Sequence, residues 1–270
     1  MPRWNRKSQL LIGPPGEEGV LFDERFRIAF SVLKTDTQDA NRMAVEVYGL
    51  SRQTRDVVAT LENRVILTAG YETEQEVLAV GDVETYSIRR EPPNIITEIQ
   101  CGDGVRAMKE ARSNISVDGV VSVRRILDKI ADDLGLEVRD TQVDLGESYQ
   151  NGFSFNGRSK DALNEIAYRG GWKWSIQDNE LQIQPQEGPA VDEALVLSPG
   201  SGLLNSPERL DDLENEQEGW RIESFLIPKA EPGQLVIVES RDLEGEFTIR
   251  TVEHDGDTRG QDWRTTLEVV

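Results

Sequence analysis

A chain of 270 residues with 50 Asp and Glu against 30 Lys and Arg carries a net charge of -20 at neutral pH. A surface this acidic repels phosphates, which argues against specific nucleic-acid binding and against adsorption to an anionic membrane. The length suits about two domains with real hydrophobic cores, and the single cysteine, Cys101, excludes an intrachain disulfide scaffold.

The opening segment, MPRWNRKSQLLIGPPGEEG, is basic and then briefly apolar. Its apolar part, Leu10 to Ile12, is too short for a signal peptide or a membrane span, and no other stretch approaches the roughly 18 apolar residues a span requires. A soluble product made in the cytoplasm is expected. LLIGPPGEEG has the outline of a phosphate-binding loop, but such a loop needs a Lys to reach the phosphates and a Ser or Thr to hold magnesium. Glu17, Glu18 and Gly19 stand there instead and would repel a nucleotide, so a plain turn or flexible arm is expected.

The first third alternates as strands do. Ile28, Phe30 and Val32 share one face of Arg27 to Lys34, and Val45 and Val47 keep the same period in Asn41 to Leu50. Val65 to Tyr71, Glu76 to Glu84 and Thr85 to Arg90 follow, with Gly81-Asp82 read as a bend or bulge. Pro92-Pro93 ends that run, and Ile95, Thr97 and Ile99 resume it. Leu50 to Thr60 reads as a helical turn between strands. Short alternating strands with polar turns predict a sandwich or barrel.

The middle reads as a compact α/β unit, from about Ile115 to Gln186. Ser122 is a candidate N-cap for a helix carrying Val123, Ile126, Leu127, Ile130 and Leu134, with Gly135 as its stop. Leu136 to Arg139 is a short strand, and Phe153 and Phe155 lie on another. Ser159 is read as the cap of a second helix, with Leu163, Ile166 and Ala167, ended by Gly170-Gly171. Trp172 to Ile176 and Glu180 to Gln184 form a hairpin around Asp178-Asn179. Pro185 to Pro189 reads as a linker. Strands return at Leu195 to Leu197, Trp220 to Leu226, Gln234 to Ser240, Glu246 to Glu253 and Trp263 to Val270, the last implying an ordered C-terminus.

Chemical candidates are few. His254, the only histidine, sits in VEHDGDTRG beside Asp255 and Asp257; a metal or catalytic role is weighed against a turn stabilised by Asp and Gly, and the turn is preferred. Cys101, followed by Gly102, Asp103 and Gly104, shows no nucleophile motif. The acidic run DDLENEQEG from Asp211 reads as a solvated loop. Trp172 and Trp174, on one strand face, and Trp220 could stack on a sugar, but core packing is the preferred reading. No catalytic, cofactor-binding or metal-binding residues are assigned, and no cofactor is expected.

Three stretches, GLLNSPERLDD, GWRIESFLIPKAEPGQLVIVES and GEFTIRTVEHDGDTRGQDWRTTLEVV, resemble the closing region of phage tail-hub proteins, the baseplate hubs of contractile tails and relatives of tail protein D. The shared pattern is a Gly-Leu turn, the Trp220 strand, Pro228, the Pro232-Gly233 turn, an apolar strand, and His254 with Gly256-Asp257. VLAVGDVETYSIRR and ITEIQCGDGVRAMKEARSNIS resemble the first tube-like domain of such hubs, and SVDGVVSVRRILDKIADDLGLEV is similar to the small domain between the barrels.

The resemblance implies a mainly β fold with an α+β insert: a tube-like antiparallel β-barrel over residues 1–112, a small α/β domain over 113–188, and a second tube-like barrel over 189–270. It implies a non-enzymatic homotrimer in the virion, a symmetry adaptor between the six-fold tail tube protein and a three-fold spike or tip protein. Such a hub meets other baseplate proteins and forms part of the DNA channel, with DNA passing through the lumen without specific binding. The chain carries no lysozyme domain and is short for a hub. A tail-tip carbohydrate-binding module, which needs exposed aromatics, and a cell-wall hydrolase component, which needs a carboxylate pair or metal in a cleft, are the alternatives.

Overall fold

The computed structural model describes residues 5–61, 63–103, 108, 110–139, 143–146, 148–210 and 218–270. Among them the chain is mainly β. The first strands are β1 (Arg6–Gly13), β2 (Val20–Phe22), β3 (Ile28–Thr35) and β4 (Arg42–Tyr48). A short helix α1 (Arg52–Val58) follows, capped by Ser51, whose hydroxyl accepts the Thr54 N–H at 3.1 Å. Then come β5 (Arg64–Tyr71), β6 (Glu74–Glu91) and β7 (Asn94–Gly102). Alternation does what the sequence implies: Ile28, Phe30 and Val32 point into the core with Val45, Val47 and Ile99.

β6 runs through Gly81-Asp82 without turning. It is long because it serves two neighbours, pairing with β5 from Glu74 to Asp82 and with β7 from Asp82 to Glu91. Its register shifts by one residue twice, at Leu78 against β5 and at Glu84 against β7. From Glu84 on, residues 84–91 are exposed and form an arm with β7.

The middle unit consists of β8 (Arg112–Val117), α2 (Val123–Leu134), β9 (Glu137–Val138), β10 (Phe153–Arg158), α3 (Ser159–Gly170), β11 (Trp172–Gln177) and β12 (Glu180–Pro185). Ser122 caps α2, and Gly135 ends it at φ 69°, a left-handed conformation that glycine adopts without penalty. Ser159 is not the cap of α3. It is the first helical residue, after the N-cap Arg158, and its buried hydroxyl lies 2.9 Å from that of Ser113. A buried hydroxyl needs a partner, and this one ties the helix start to β8. α2 packs on α3, β8 and β9, and α3 packs on β11, so Ile126, Leu127, Ile130, Leu163, Ile166, Phe153, Trp172 and Trp174 form one core, with Phe155 partly buried at its margin.

The final strands are β13 (Val191–Leu197), β14 (Glu208–Leu210), β15 (Gly219–Phe225), β16 (Gln234–Glu239), β17 (Glu244–Asp257) and β18 (Trp263–Val269). The acidic run from Asp211 lies outside the described residues as far as residue 217. Two separate closed barrels were expected. Instead one 13-stranded sheet passes through both strand-rich ends, and its pairings among the described residues run from β14 to β2 without closing a ring. The cause is β17. Its first half pairs with β16, its second half with β3, and β18 lies along its other side. Three hydrophobic clusters nevertheless remain distinct, and Leu226, just after β15, and Trp263 of β18 pack into the first.

Leu163 is fully buried between the two helices of the middle unit. Leu163→Ala should lower unfolding free energy by about 2–5 kcal/mol, as emptied core sites do. Phe155→Leu, at the margin, should cost clearly less. Equal losses in denaturant titrations would show that the packing is misassigned.

Candidate functional site

The three clusters are joined by polar groups, and that junction is the most elaborate site in the molecule. The β11–β12 hairpin turns at Asp178 and Asn179, with φ 53° and 69°, the pair of left-handed residues that a tight two-residue hairpin turn requires. Its tip inserts against the first unit. Lys34 Nζ donates to Asp178 Oδ2 at 2.6 Å, the Val80 N–H to Asp178 Oδ1 at 3.2 Å, and the Asn179 N–H to Asp103 Oδ1 at 2.9 Å. Behind the tip, Asn41 Nδ2 donates to the Ile176 carbonyl at 2.9 Å and to Gln177 Oε1 at 2.8 Å, while Gln177 Nε2 donates to the Thr35 carbonyl at 2.8 Å.

The same hairpin reaches the third unit. Arg139 bridges Glu180 at 2.8 Å and Glu231 at 2.5 Å, and Gln182 Nε2 donates to the Pro232 carbonyl at 3.4 Å. All three units meet at Asp36. Its side chain is 3% exposed and takes Lys173 Nζ at 2.6 Å and Arg250 Nε at 3.2 Å. Arg250 sits at the register shift of β17 against β18, between Ile249 and Thr251, where β17 leaves β16 for β3.

Burial sets the electrostatics. Desolvation, then the nearby charge of Asp178, pushes the Asp103 carboxyl up to about 7, while the Asn179 N–H and Lys34 act the other way. Asp103 Oδ2 has no hydrogen-bond partner among the described residues. The Cys101 thiol is pushed up to about 12 by burial and by Asp82 and Glu84, which leaves it inert as a nucleophile. His254 lies inside β17, not in a turn, and is fully buried. The Asp-Gly cluster that suggested a turn belongs to the strand because Gly256 passes under the Phe30 ring: a Cβ there would lie 2.2 Å from that ring. His254 Nδ1 lies 2.8 Å from Thr265 Oγ1, and burial together with Lys34 drives its pKa down to about 3, so it is neutral at ordinary pH.

The other sequence candidates fall as follows. GPPGEEG is the exposed loop between β1 and β2. Trp172 and Trp174 are buried and cannot stack on a sugar, and Trp220 is half-buried against the third cluster. Among the described residues no group of His, Cys, Asp and Glu is placed to hold a metal ion, and no helix is long and apolar enough to cross a membrane. Periodicity missed Lys34, Asp36, Asn41, Asp103, Asp178 and Arg250. One signal was available: Lys34 continues the core-facing row of Ile28, Phe30 and Val32, where a charge needs a buried partner.

Solved structures of tail proteins share this fold. A 43 kDa tail protein of prophage MuSo2 from Shewanella oneidensis matches with a TM-score of 0.67 at 11% identity, over 97% of this chain and 98% of that one. The tail protein from Neisseria meningitidis MC58 matches with a TM-score of 0.68 at 10% identity, over 98% and 96%. The E. coli c3393 protein, a type VI secretion component described as similar to the T4 tail proteins gp27 and gp5, gives 0.57 at 10% identity, over 96% of this chain and 76% of that one. No curated protein sequence matches significantly. These likenesses define a shared fold. Within it, this chain belongs to the baseplate hub gp41 family, whose model matches residues 12–269.

Asp103 and His254, both buried, have opposite pH signatures. Asp103 ionises near 7 when folded and near 3.8 when free, so between those values the unfolded chain holds fewer protons and stability falls as pH rises, by at most about 1.4 kcal/mol per pH unit. His254, lowered to about 3 from 6.5, makes stability fall as pH drops below 6.5. Asp103→Asn removes only the first slope. Its stability relative to wild type should climb from about pH 4 to about pH 7 and level off above. A flat difference in denaturant titrations across that range would mean that Asp103 ionises normally.

Proposed function

We propose that this hub protein is the subunit of a trimeric symmetry adaptor, joining the six-fold tail tube protein to a three-fold spike or tip protein. The observation that carries the reading is the continuous sheet through β17 and β3, which holds the two strand-rich ends side by side in a fixed relation. Three chains with two strand-rich units each supply six positions around an axis, and cyclic symmetry closes the assembly rather than letting it grow as a fibre.

In this reading residues 1–112 and 189–270 are the tube-like barrel domains and residues 113–188 the α/β domain, a division supported by the three separate hydrophobic clusters. Closure of the barrels is completed at edges that meet neighbouring copies. The trimer forms part of the DNA channel, and the net charge of -20 suits a wall that DNA passes without adhering. The protein is made in the host cytoplasm, acts in the virion without a cofactor or a catalytic step of its own, and touches other baseplate proteins.

Light scattering on the purified protein, alone and mixed with tail tube protein, should report three chains of this protein per particle. A species of two chains, or one that stays a single chain in both conditions, would overturn the adaptor reading.

A further inference from the structure

We propose that the ring closes by strand addition, with the β6 arm, residues 84–91, pairing along the free edge of β13 in a second copy of this chain. The inference rests on the trimeric reading above and names the surface that makes the trimer. In a ring of three chains with two strand-rich units each, every contact between chains joins the N-terminal unit of one copy to the C-terminal unit of the next. Each copy therefore needs one open edge at each end, and the two edges are different surfaces.

The sheet offers a short and a long edge at each end. At the N-terminal end, β2 has 3 residues, whereas the arm, from Glu84 on, pairs with no strand but β7 among the described residues. At the C-terminal end, β14 has 3 residues and β13 has 7, pairing only with β16 among the described residues. A long edge with unpaired N–H and C=O groups templates another strand. The arm and β13 are the two edges of matching length.

The arm also carries side chains that want a cover. Tyr86 aligns across the sheet with Ile99, Val45 and Phe30, and Ile88 aligns with Thr97, Val47 and Ile28. Those partners are buried, yet Tyr86 is 49% exposed and Ile88 47% exposed. The core-facing row thus runs past the edge of its own core. On β13, Val196 is 45% exposed. The arm is held in place, since Arg89 donates to Glu46 at 2.9 Å on the opposite face. Arg90, at the end of the exposed row, pairs with no carboxylate among the described residues, and a chain of net charge -20 is a suitable partner for it.

Cross-linking tests this, because Cys101, the only cysteine, is buried and introduced cysteines report alone. The double variant Arg90→Cys with Val196→Cys, treated with a short bis-maleimide, should give covalent species of up to three chains on a denaturing gel, and each single variant only one chain. Two-chain species from Arg90→Cys alone would mean that arms pair with each other and would overturn the proposal. Absence of cross-links in a protein that light scattering shows to be a trimer would overturn the edge pairing while leaving the trimer standing. A protein that neither cross-links nor assembles, alone or with tail tube protein, would overturn both. Independently, Ile88→Lys should abolish the trimer with the circular dichroism spectrum retained, whereas Tyr168→Lys, on the exposed face of α3, should leave it intact. A trimer that survives Ile88→Lys counts against the proposal.

Discussion

The carboxylate of Asp36 sits where β17 changes neighbours, and the placement of all three units depends on that hand-over. β17 pairs with β16 as far as Thr248 and with β3 from Thr251 onward. Between them, the Gly233 N–H donates to the Ile249 carbonyl and the Asp36 N–H to the Arg250 carbonyl, so the backbone ladder passes from one unit to the other without a gap. The extra residue at the register shift is Arg250, and its side chain reaches Asp36. A buried carboxylate is tolerable only when paired, and here one partner comes from each of the other units. Removing either would leave Asp36 short of charge compensation in a site that is nearly dry.

The middle unit uses the same principle. Its hairpin meets its neighbours through named donors and acceptors rather than an apolar face, so its orientation is specified by geometry. Lys34 is 2% exposed and is matched by Asp178 at the hairpin tip. Asp103 and His254 show the cost of such a junction: burial raises the Asp103 carboxyl and holds His254 neutral, and each retains one ring or carboxyl atom without a partner among the described residues. In the proposed trimer, a rigid relation between the strand-rich ends would keep the six positions equal.

Much of this was legible in the sequence wherever structure is local. The alternation of Ile28, Phe30 and Val32, the Ser122 cap with its Gly135 stop, and the Asp178-Asn179 turn all follow from short-range stereochemistry. The hub resemblance was legible from the order of motifs, and the family match agrees with it. What was not legible is non-local. Nothing in the period of β17 says that its second half adds to β3, so two separate barrels were expected where one sheet runs through. His254 was misread because Asp255, Gly256 and Asp257 are turn formers by composition, while the demand that decides the matter, room for the Phe30 ring above Gly256, comes from a strand far away in sequence. Asp36 lies just past the end of β3, where only the fold reveals that Lys173 and Arg250 converge.

Native-state hydrogen exchange tests the central claim, that β17 makes both strand-rich ends one mechanical body. The amides of β3 and of β16, which pair with opposite halves of β17, should exchange through the same opening with equal free energy. Asp36→Ala should lower both by the same amount. If β16 opens in a separate, cheaper event that Asp36→Ala leaves unchanged, the two ends are independent and the account of a rigid subunit is wrong.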